Sequence, residues 1–351
     1  MANSMMRAAV YVGPGKLSVE LRPIPQPGPG EVLLRVRACG ICGSDLHLLH
    51  ADSSPAAPGM ILGHEVAATV VALGEGVSGY AAGEAVVVEP LLTCGVCRCC
   101  REGRDSICPQ LRILGAHTDG AFADYLSVPV RRLYRIPGEL DYRTASLAEP
   151  VAVAVHGLRV AGFKPGQRLL VLGAGAIGLA VTAVARAWGA GEILLTARHP
   201  HQAELGRTLG ATRILDDKQS TLDRMEELGH REPLDLIAET VGGNSNTLNL
   251  AGAALAPGGT ILVLGLNLAP VPVDAMRLLH KEARLQWSNC YYSRQAGKSD
   301  FDESLRLLSE QRSTFSQLLT HSTPLDAIDR AFALARDKKS GSVKVTVMME
   351  P

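Results

Sequence analysis

Aromatic side chains are scarce in this chain, at 4 % of 351 residues. Few rings are available for stacking or for a bulky aromatic pocket, which leans towards a small polar ligand. Net charge is absent as well. Lys and Arg number 35, Asp and Glu 35, and the formal net charge is +0. Binding to nucleic acid or to an anionic membrane calls for an excess of cations, so neither is an expected partner. No apolar run is long enough to cross a bilayer. The longest, Leu169 to Trp188, is interrupted by Gly173, Gly175, Gly178 and Arg186 and reads as strand, turn and helix. The opening MANSMMRAAVYV is too short and broken for a secretory leader. Internal repeats and low-complexity segments are missing. The expected compartment is the reducing cytoplasm, where clustered cysteines bind metal more often than they pair as disulfides.

What is present suits two soluble domains: 46 % hydrophobic and 20 % charged residues over 351 positions. The first third is β-rich, with apolar runs such as Val32 to Val36 and Val66 to Ala72 between Gly and Pro turns. From Ala145 the texture changes. A helix over Leu147 to Gly162 leads into alternating strands and Ala/Leu-rich helices. Strands are expected at Arg168–Leu172, Glu192–Thr196, Leu234–Glu239, Thr260–Leu264 and Leu285–Ser288, which makes an α/β, doubly wound parallel sheet. A final helix, Phe301 to Leu308, then polar connections and a last strand, Ser342 to Met348, complete the expected order.

The run Leu169 to Gly178 drives a buried strand into Gly173-x-Gly175-x-x-Gly178 and then a helix, Leu179 to Trp188. Gly173 suits the tight turn, Gly175 close approach to a pyrophosphate, and Gly178 helix–strand packing. Backbone around Ala176 and Ile177 offers helix N-terminal N–H groups to phosphate. The pattern alone is weak, but strand, helix and further βαβ units surround it. At the second strand end an NAD site usually carries Asp or Glu. Here stand Ala197, Arg198 and His199. An arginine can form a charge-assisted fork with a 2′-phosphate, so NADP is expected over NAD, with His199 assisting. Thr240, Gly265 and Leu266 follow later strand ends and are softer cofactor candidates.

Cys94-Gly-Val-Cys97-Arg-Cys99-Cys100, then Cys108, gives Cys-x2-Cys-x2-Cys-x7-Cys. Four thiolates can close a tetrahedral zinc shell with no open position, the mark of a structural site. Spacing favours Cys100 over its neighbour Cys99 as third ligand. Residue type alone leaves an iron–sulfur cluster open. A nucleic-acid zinc ribbon matches the spacing but lacks a basic surround. Arg98, Arg101 and Arg104 partly offset the thiolate charge. Elsewhere, Cys39-Gly-Ile-Cys42-Gly-Ser44-Asp45-Leu-His47, Gly63-His64-Glu65 and Glu149-Pro150 supply a thiolate, an imidazole and carboxylates, a plausible second zinc shell with room for water or substrate.

CGICGSDLH, GHE, the cysteine lobe, DGAFADY, LAEPVAVAVH and GAGAIG occur in one order along essentially the whole chain, which resembles the medium-chain zinc dehydrogenases. The glutamate in LAEP is similar to the polyol, butanediol and threonine dehydrogenase branches. The resemblance implies a GroES-like catalytic domain, residues 1–152 and 294–351, holding both zincs, and a Rossmann domain, residues 153–293. It implies two zincs per chain and a homodimer or homotetramer. Cys42, His64 and either Glu65 or Glu149 look like the catalytic zinc ligands, and Asp45 like the residue that fixes the His64 tautomer. Ser44 and His47 look like the proton relay, with hydride passing between an alcohol carbon and the nicotinamide. Cys39 reads as a packed free thiol, and Lys344 as a solvated lysine or a phosphate contact. Candidate pocket residues are Leu48, Leu49, Ile113, His117, Leu266 and Tyr291 to Arg294. The implied substrate is a secondary alcohol, polyol or cyclitol-like compound, or its ketone. A threonine-type dehydrogenase and a non-enzymatic zinc-stabilised binding protein are the alternatives.

Overall fold

The structure is a computed structural model that describes residues 4–50, 56–216, 218–243, 245–267, 269–292 and 299–349. It divides into two units. The first comprises Met1–Glu149, Tyr292–Arg312 and Leu319–Pro351, and the second Pro150–Tyr291 and Ser313–Leu318. The candidates Ser293 and Arg294 lie outside the described residues. Among the described residues no helix is long and apolar enough to cross a membrane.

In chain order the strands of the first unit's N-terminal part are β1 (Met5–Gly13), β2 (Lys16–Pro23), β3 (Glu31–Gly40), β4 (Glu65–Leu73), β5 (Ala85–Val88), β6 (Leu91–Leu92), β7 (Arg112–Ile113), β8 (Tyr125–Pro129) and β9 (Leu133–Arg135). The second unit holds β10 (Arg168–Leu172), β11 (Glu192–Thr196), β12 (Arg213–Leu215), β13 (Leu234–Glu239), β14 (Leu255–Val263) and β15 (Arg284–Trp287). The chain then returns to the first unit as β16 (Leu319–Pro324) and β17 (Lys344–Met348).

The first unit's main sheet runs β16-β17-β3-β4-β5-β9, with β8 also paired to β3. Val32, Leu34 and Val36 of β3 and Val66, Ala68 and Val70 of β4 alternate into one core with Val86, Val88 and Phe122. Period-two burial of this kind puts one sheet face inward. The little hairpin β6–β7 matters for another reason: the whole cysteine segment is the excursion between its two strands.

In the second unit all six strands are parallel, in the order β12-β11-β10-β13-β14-β15. Leu169, Leu170 and Val171 are fully buried, as two-sided burial in a parallel sheet requires. The chain winds outward from β10 to β12, then restarts at β13 on the other flank of β10. That reversal between β10 and β13 is the switch point at whose carboxyl ends dinucleotides bind.

Several expected elements differ from those observed. The glycine-loop helix is Ala176–Ala187, three residues earlier than expected, because Gly175 already serves as its N-cap. β14 starts at Leu255, not Thr260, with a register irregularity against β13 between those two residues. β12 was not expected; three residues carry too little pattern. Phe301 to Leu308 is the middle of helix Asp300–Glu310 and is not the last helix. The expected polar connections contain β16 and the helix Ile328–Arg336, which buries Ile328, Ala331, Phe332 and Ala335 at helical spacing.

Candidate active site

The candidate reacting centre is assembled on the first unit from three chain segments. Cys42 precedes the helix Gly43–His50, and Asp45 lies in its first turn. The buried Asp45 carboxylate accepts the Cys42 backbone N–H at 2.9 Å through one oxygen. Such a bond back to the start of a helix fixes the entering residue. Its other oxygen is 3.4 Å from Nδ1 of His64. One carboxylate thus orients both Cys42 and His64. Burial alone would lower the His64 pKa, but Asp45, then Cys42, more than reverse this and hold it well above its ordinary value.

His64 is presented by a glycine turn. Gly63 has φ 96, the left-handed region where glycine is at ease. The DGAFADY segment packs directly on it. Phe122 N–H donates to the Leu62 carbonyl, Ala121 N–H to that of Gly63, and Ile61 N–H to the Asp119 carboxylate. A side chain at Gly120 would come within 2.3 Å of the Gly63 carbonyl. DGAFADY is therefore the support beneath the imidazole, a role its own sequence does not disclose.

The ligating atoms of Cys42, His64 and Glu65 all lie within 4.8 Å of one another, with His64 and Glu65 buried. Ligand bonds of roughly 2.0–2.3 Å to one shared ion are compatible with that span, so the donor set fits zinc. Glu149, buried in the first turn of helix Ala148–Val160, is not in this group. Glu65 pairs with Gly40 across β3–β4, and its carboxylate fills the space a Gly40 side chain would need. Ser44 Oγ is 3.4 Å from Nε2 of His64, and His47, three residues on, is exposed on the same helix.

Sequence reading missed the counter-charge. Lys344, expected to be solvated or to contact a phosphate, is buried at 3 % exposure. Its Nζ donates to both Glu65 oxygens, at 2.6 and 2.9 Å, and to the Ile41 carbonyl. Burial would lower its pKa, but Glu65, then Cys42 and Glu149, hold it above the ordinary lysine value. Cys39 is buried and outside the ligand group, and burial keeps its thiol neutral. Leu48 and Leu49, expected near the pocket, are buried in the unit's apolar core. His117 is occupied locally, accepting the Ile113 N–H at Nδ1.

The cysteine lobe brings together Cys94, Cys97, Cys100 and Cys108. The Sγ separations are 3.9 Å for Cys94–Cys100, 3.5 Å for Cys97–Cys100, 3.9 Å for Cys97–Cys108 and 3.7 Å for Cys94–Cys108. A tetrahedron with metal–sulfur bonds of about 2.3 Å has edges of about 3.8 Å. The sulfurs thus surround a single point, which fits one zinc; a multi-iron cluster would spread them. Backbone N–H groups of Cys97, Cys100 and Gln110 point at the sulfurs. The N–H groups of Val96 and Cys97 lower the Cys94 pKa to about 6. Of the arginines expected to offset the thiolates, Arg98 and Arg104 pair with Glu102 instead. Below the lobe, Arg132 is buried against Glu89, Asp105 and Thr93, anchoring it to the sheet.

On the second unit, Gly173 has φ 103, and its N–H donates to Thr196 Oγ at 2.8 Å. A side chain at Gly178 would lie 1.9 Å from the Gly173 carbonyl, whereas the space before Gly175 is open. No side chain caps the helix that starts at Ala176, so its N–H groups remain open to an anion. Ala176 and Ile177 are half-buried beside them. This cradle fits a dinucleotide pyrophosphate. Arg198 is exposed on the turn after β11, and His199 starts the helix Pro200–Thr208 with its ring stacked on His201. Val241 and Leu266 are apolar yet 51 % and 57 % exposed at the carboxyl end of the sheet.

A glycine cradle for a dinucleotide on one unit and a zinc donor set on the other define a zinc-dependent dehydrogenase. Residues 28–138 match the alcohol dehydrogenase GroES-like domain, and residues 176–310 the zinc-binding dehydrogenase family. The chain is 35 % identical over 266 residues to the sorbitol dehydrogenase of Bacillus subtilis, covering 74 % of this chain and 75 % of that protein. It is 31 % identical over 334 residues to the L-threonine 3-dehydrogenase of Bacillus licheniformis, covering 93 % and 94 %. A solved zinc-binding dehydrogenase from Sinorhizobium meliloti, bound to NADP, superposes with TM-score 0.88 at 30 % identity, covering 98 % of this chain and 99 % of that one. The chain belongs to the medium-chain zinc-dependent alcohol and polyol dehydrogenase family, and it is an NAD(P)-dependent oxidoreductase.

Proposed function

We propose that this enzyme interconverts the secondary hydroxyl of a polyol or cyclitol-like substrate and its ketone, with NADP(H) as partner. The observation that carries the reaction is the Cys42, His64 and Glu65 group with the Ser44 hydroxyl 3.4 Å from His64 Nε2. Cys42, His64 and Glu65 or Glu149 would hold the catalytic zinc. When bound, zinc supplies Lewis acidity at a substrate oxygen, and the dinucleotide supplies the hydride acceptor or donor. Asp45 keeps the His64 proton on Nδ1, leaving Nε2 free to ligate. Ser44 Oγ would accept the substrate hydroxyl proton as it releases its own towards His47, which passes that proton to solvent. Lys344 offsets the carboxylate charge beside the site.

NADP preference rests on Ala197 and Arg198 after β11, where a carboxylate would repel a 2′-phosphate; the NADP-bound relative is consistent with it. Copies are proposed to associate through β15, the edge of the six-stranded sheet. Its Trp287 is 59 % exposed, as is Met276 at 59 %, with Leu279 at 66 %, in the segment leading to it. Homodimer and homotetramer both satisfy this contact.

The test is a screen of the zinc-loaded enzyme with NADP and NAD against hexitols, cyclitols, vicinal diols and L-threonine. Polyol turnover with NADP supports the proposal. Turnover of L-threonine alone favours the second reading, which the threonine dehydrogenase relative motivates. Cofactor binding without turnover of any hydroxyl compound would count against both.

A further inference from the structure

Glu239, the last residue of β13, is fully buried. One carboxylate oxygen accepts three hydrogen bonds at 2.9 Å, from the N–H groups of Val241 and Gly242 and from the Thr247 hydroxyl. The other oxygen has no hydrogen-bond partner among the described residues. It lies where a Gly265 side chain would stand, 2.4 Å from the position of its Cβ. A buried carboxylate with unused acceptors is costly, so its place in the fold calls for a reason.

The bonds around it join two loops. The Glu239 carbonyl accepts from Leu264 and Gly265 N–H at 2.8 and 3.1 Å, and Gly243 N–H donates to the Leu266 carbonyl at 2.8 Å. The loop after β13 is thus tied to the loop after β14, with Gly242 and Gly243 at φ 65 and φ 64 allowing the tight path. Thr240, the next residue, faces the opposite flank. Its hydroxyl donates to the Leu172 carbonyl at 2.8 Å, under the glycine loop after β10. Two adjacent residues therefore connect three loops at the carboxyl ends of β10, β13 and β14, on both sides of the switch point. Val241 and Leu266 project from that frame, and Val241 touches Gly173: its Cγ2 is 2.8 Å from where a Gly173 Cβ would be.

We propose that Glu239 is a positioning residue for the dinucleotide. It is too buried to touch the cofactor, and acts by holding the Thr240–Gly243 and Leu264–Leu266 loops in the arrangement the cofactor binds. The inference rests on the reading of this site as the dinucleotide site.

The test uses the full-length, zinc-loaded enzyme as wild type, Glu239→Ala, Glu239→Gln and Thr247→Val. NADPH and NADH dissociation constants are measured by fluorescence titration, melting temperatures by calorimetry, and kcat and cofactor KM by steady-state kinetics. Glu239→Ala is expected to raise the dissociation constant and the cofactor KM together by roughly tenfold or more, while kcat at saturating cofactor changes little. Glu239→Gln keeps an acceptor oxygen and is expected to recover most of the affinity. An unchanged dissociation constant in Glu239→Ala, whatever its melting temperature, would make Glu239 ordinary scaffold and overturn the proposal. Where Glu239→Ala does not fold, Thr247→Val removes one of the three bonds; a smaller rise supports the proposal and no rise overturns it. Wild-type enzyme that binds neither NADPH nor NADH would instead overturn the dinucleotide reading itself.

Discussion

Replacing Asp45 with asparagine keeps the size of a fully buried side chain and changes one oxygen to an amide donor. In the wild type both oxygens face donors: the Cys42 N–H at 2.9 Å and Nδ1 of His64 at 3.4 Å. The amide nitrogen must oppose one of them. If it opposes His64, the ring must shift its proton to Nε2, the nitrogen needed for the metal. If it opposes Cys42, the helix start that presents the thiolate is loosened. Either way a carboxylate contact, the hydrogen bond to Cys42 or the close approach to His64, is lost, at about 1.5–3 kcal/mol for an interaction with a charged group. That corresponds to roughly 10- to 100-fold in zinc affinity, the range usual for such supporting residues. The assay is competition with a chromophoric chelator, which reads the two zincs as separate phases. The cysteine-lobe zinc is the internal control, since Asp45 has no bond to that lobe. Asp45→Asn is expected to weaken one phase and leave the other. Two phases with wild-type affinities would refute the idea that this carboxylate organises the catalytic site.

Three further outcomes are expected. Cys100→Ser should lose one zinc per chain, whereas Cys99→Ser should keep both by metal analysis, because only Cys100 lies in the sulfur tetrahedron. Arg132→Met leaves Glu89 and Asp105 buried without their cation; stability should fall by about 3–5 kcal/mol, read as the shift in urea midpoint, and a change under 1 kcal/mol, within the range of about 0–1 kcal/mol for surface pairs, would mean that the network is solvated. Trp287→Glu places a charge on the open edge of β15 and should shift sedimentation towards monomer without loss of NADPH binding; an unchanged oligomer would move the interface elsewhere.

The features legible in the sequence are those whose physics is local. Gly173, Gly175 and Gly178 announce their turn because strand, glycine spacing and helix are contiguous. Cys94, Cys97, Cys100 and Cys108 announce a candidate closed site because one short lobe carries all four donors, and the structure groups Cys100 rather than Cys99 with the other three. The central strands were visible as continuous apolar runs, since a parallel sheet buries both faces. Where the signal was short or polar it failed: β12 has three residues, and β16, reading Leu-Thr-His-Ser-Thr-Pro, looks like a loop until it pairs with β17.

Only the tertiary structure decided the pairings between distant segments. Lys344 meets Glu65 across 279 positions, and nothing near either residue marks the other; the contact follows from β17 and β4 both flanking β3. DGAFADY acquires its meaning by lying beneath Gly63 and His64, and Glu239 by standing between two loops that its own strand does not contain. Local propensity and spacing set which chemistry the chain can hold. The packing of one segment on another sets which side chains are buried together, and so which charges, hydrogen bonds and glycines that chemistry depends on.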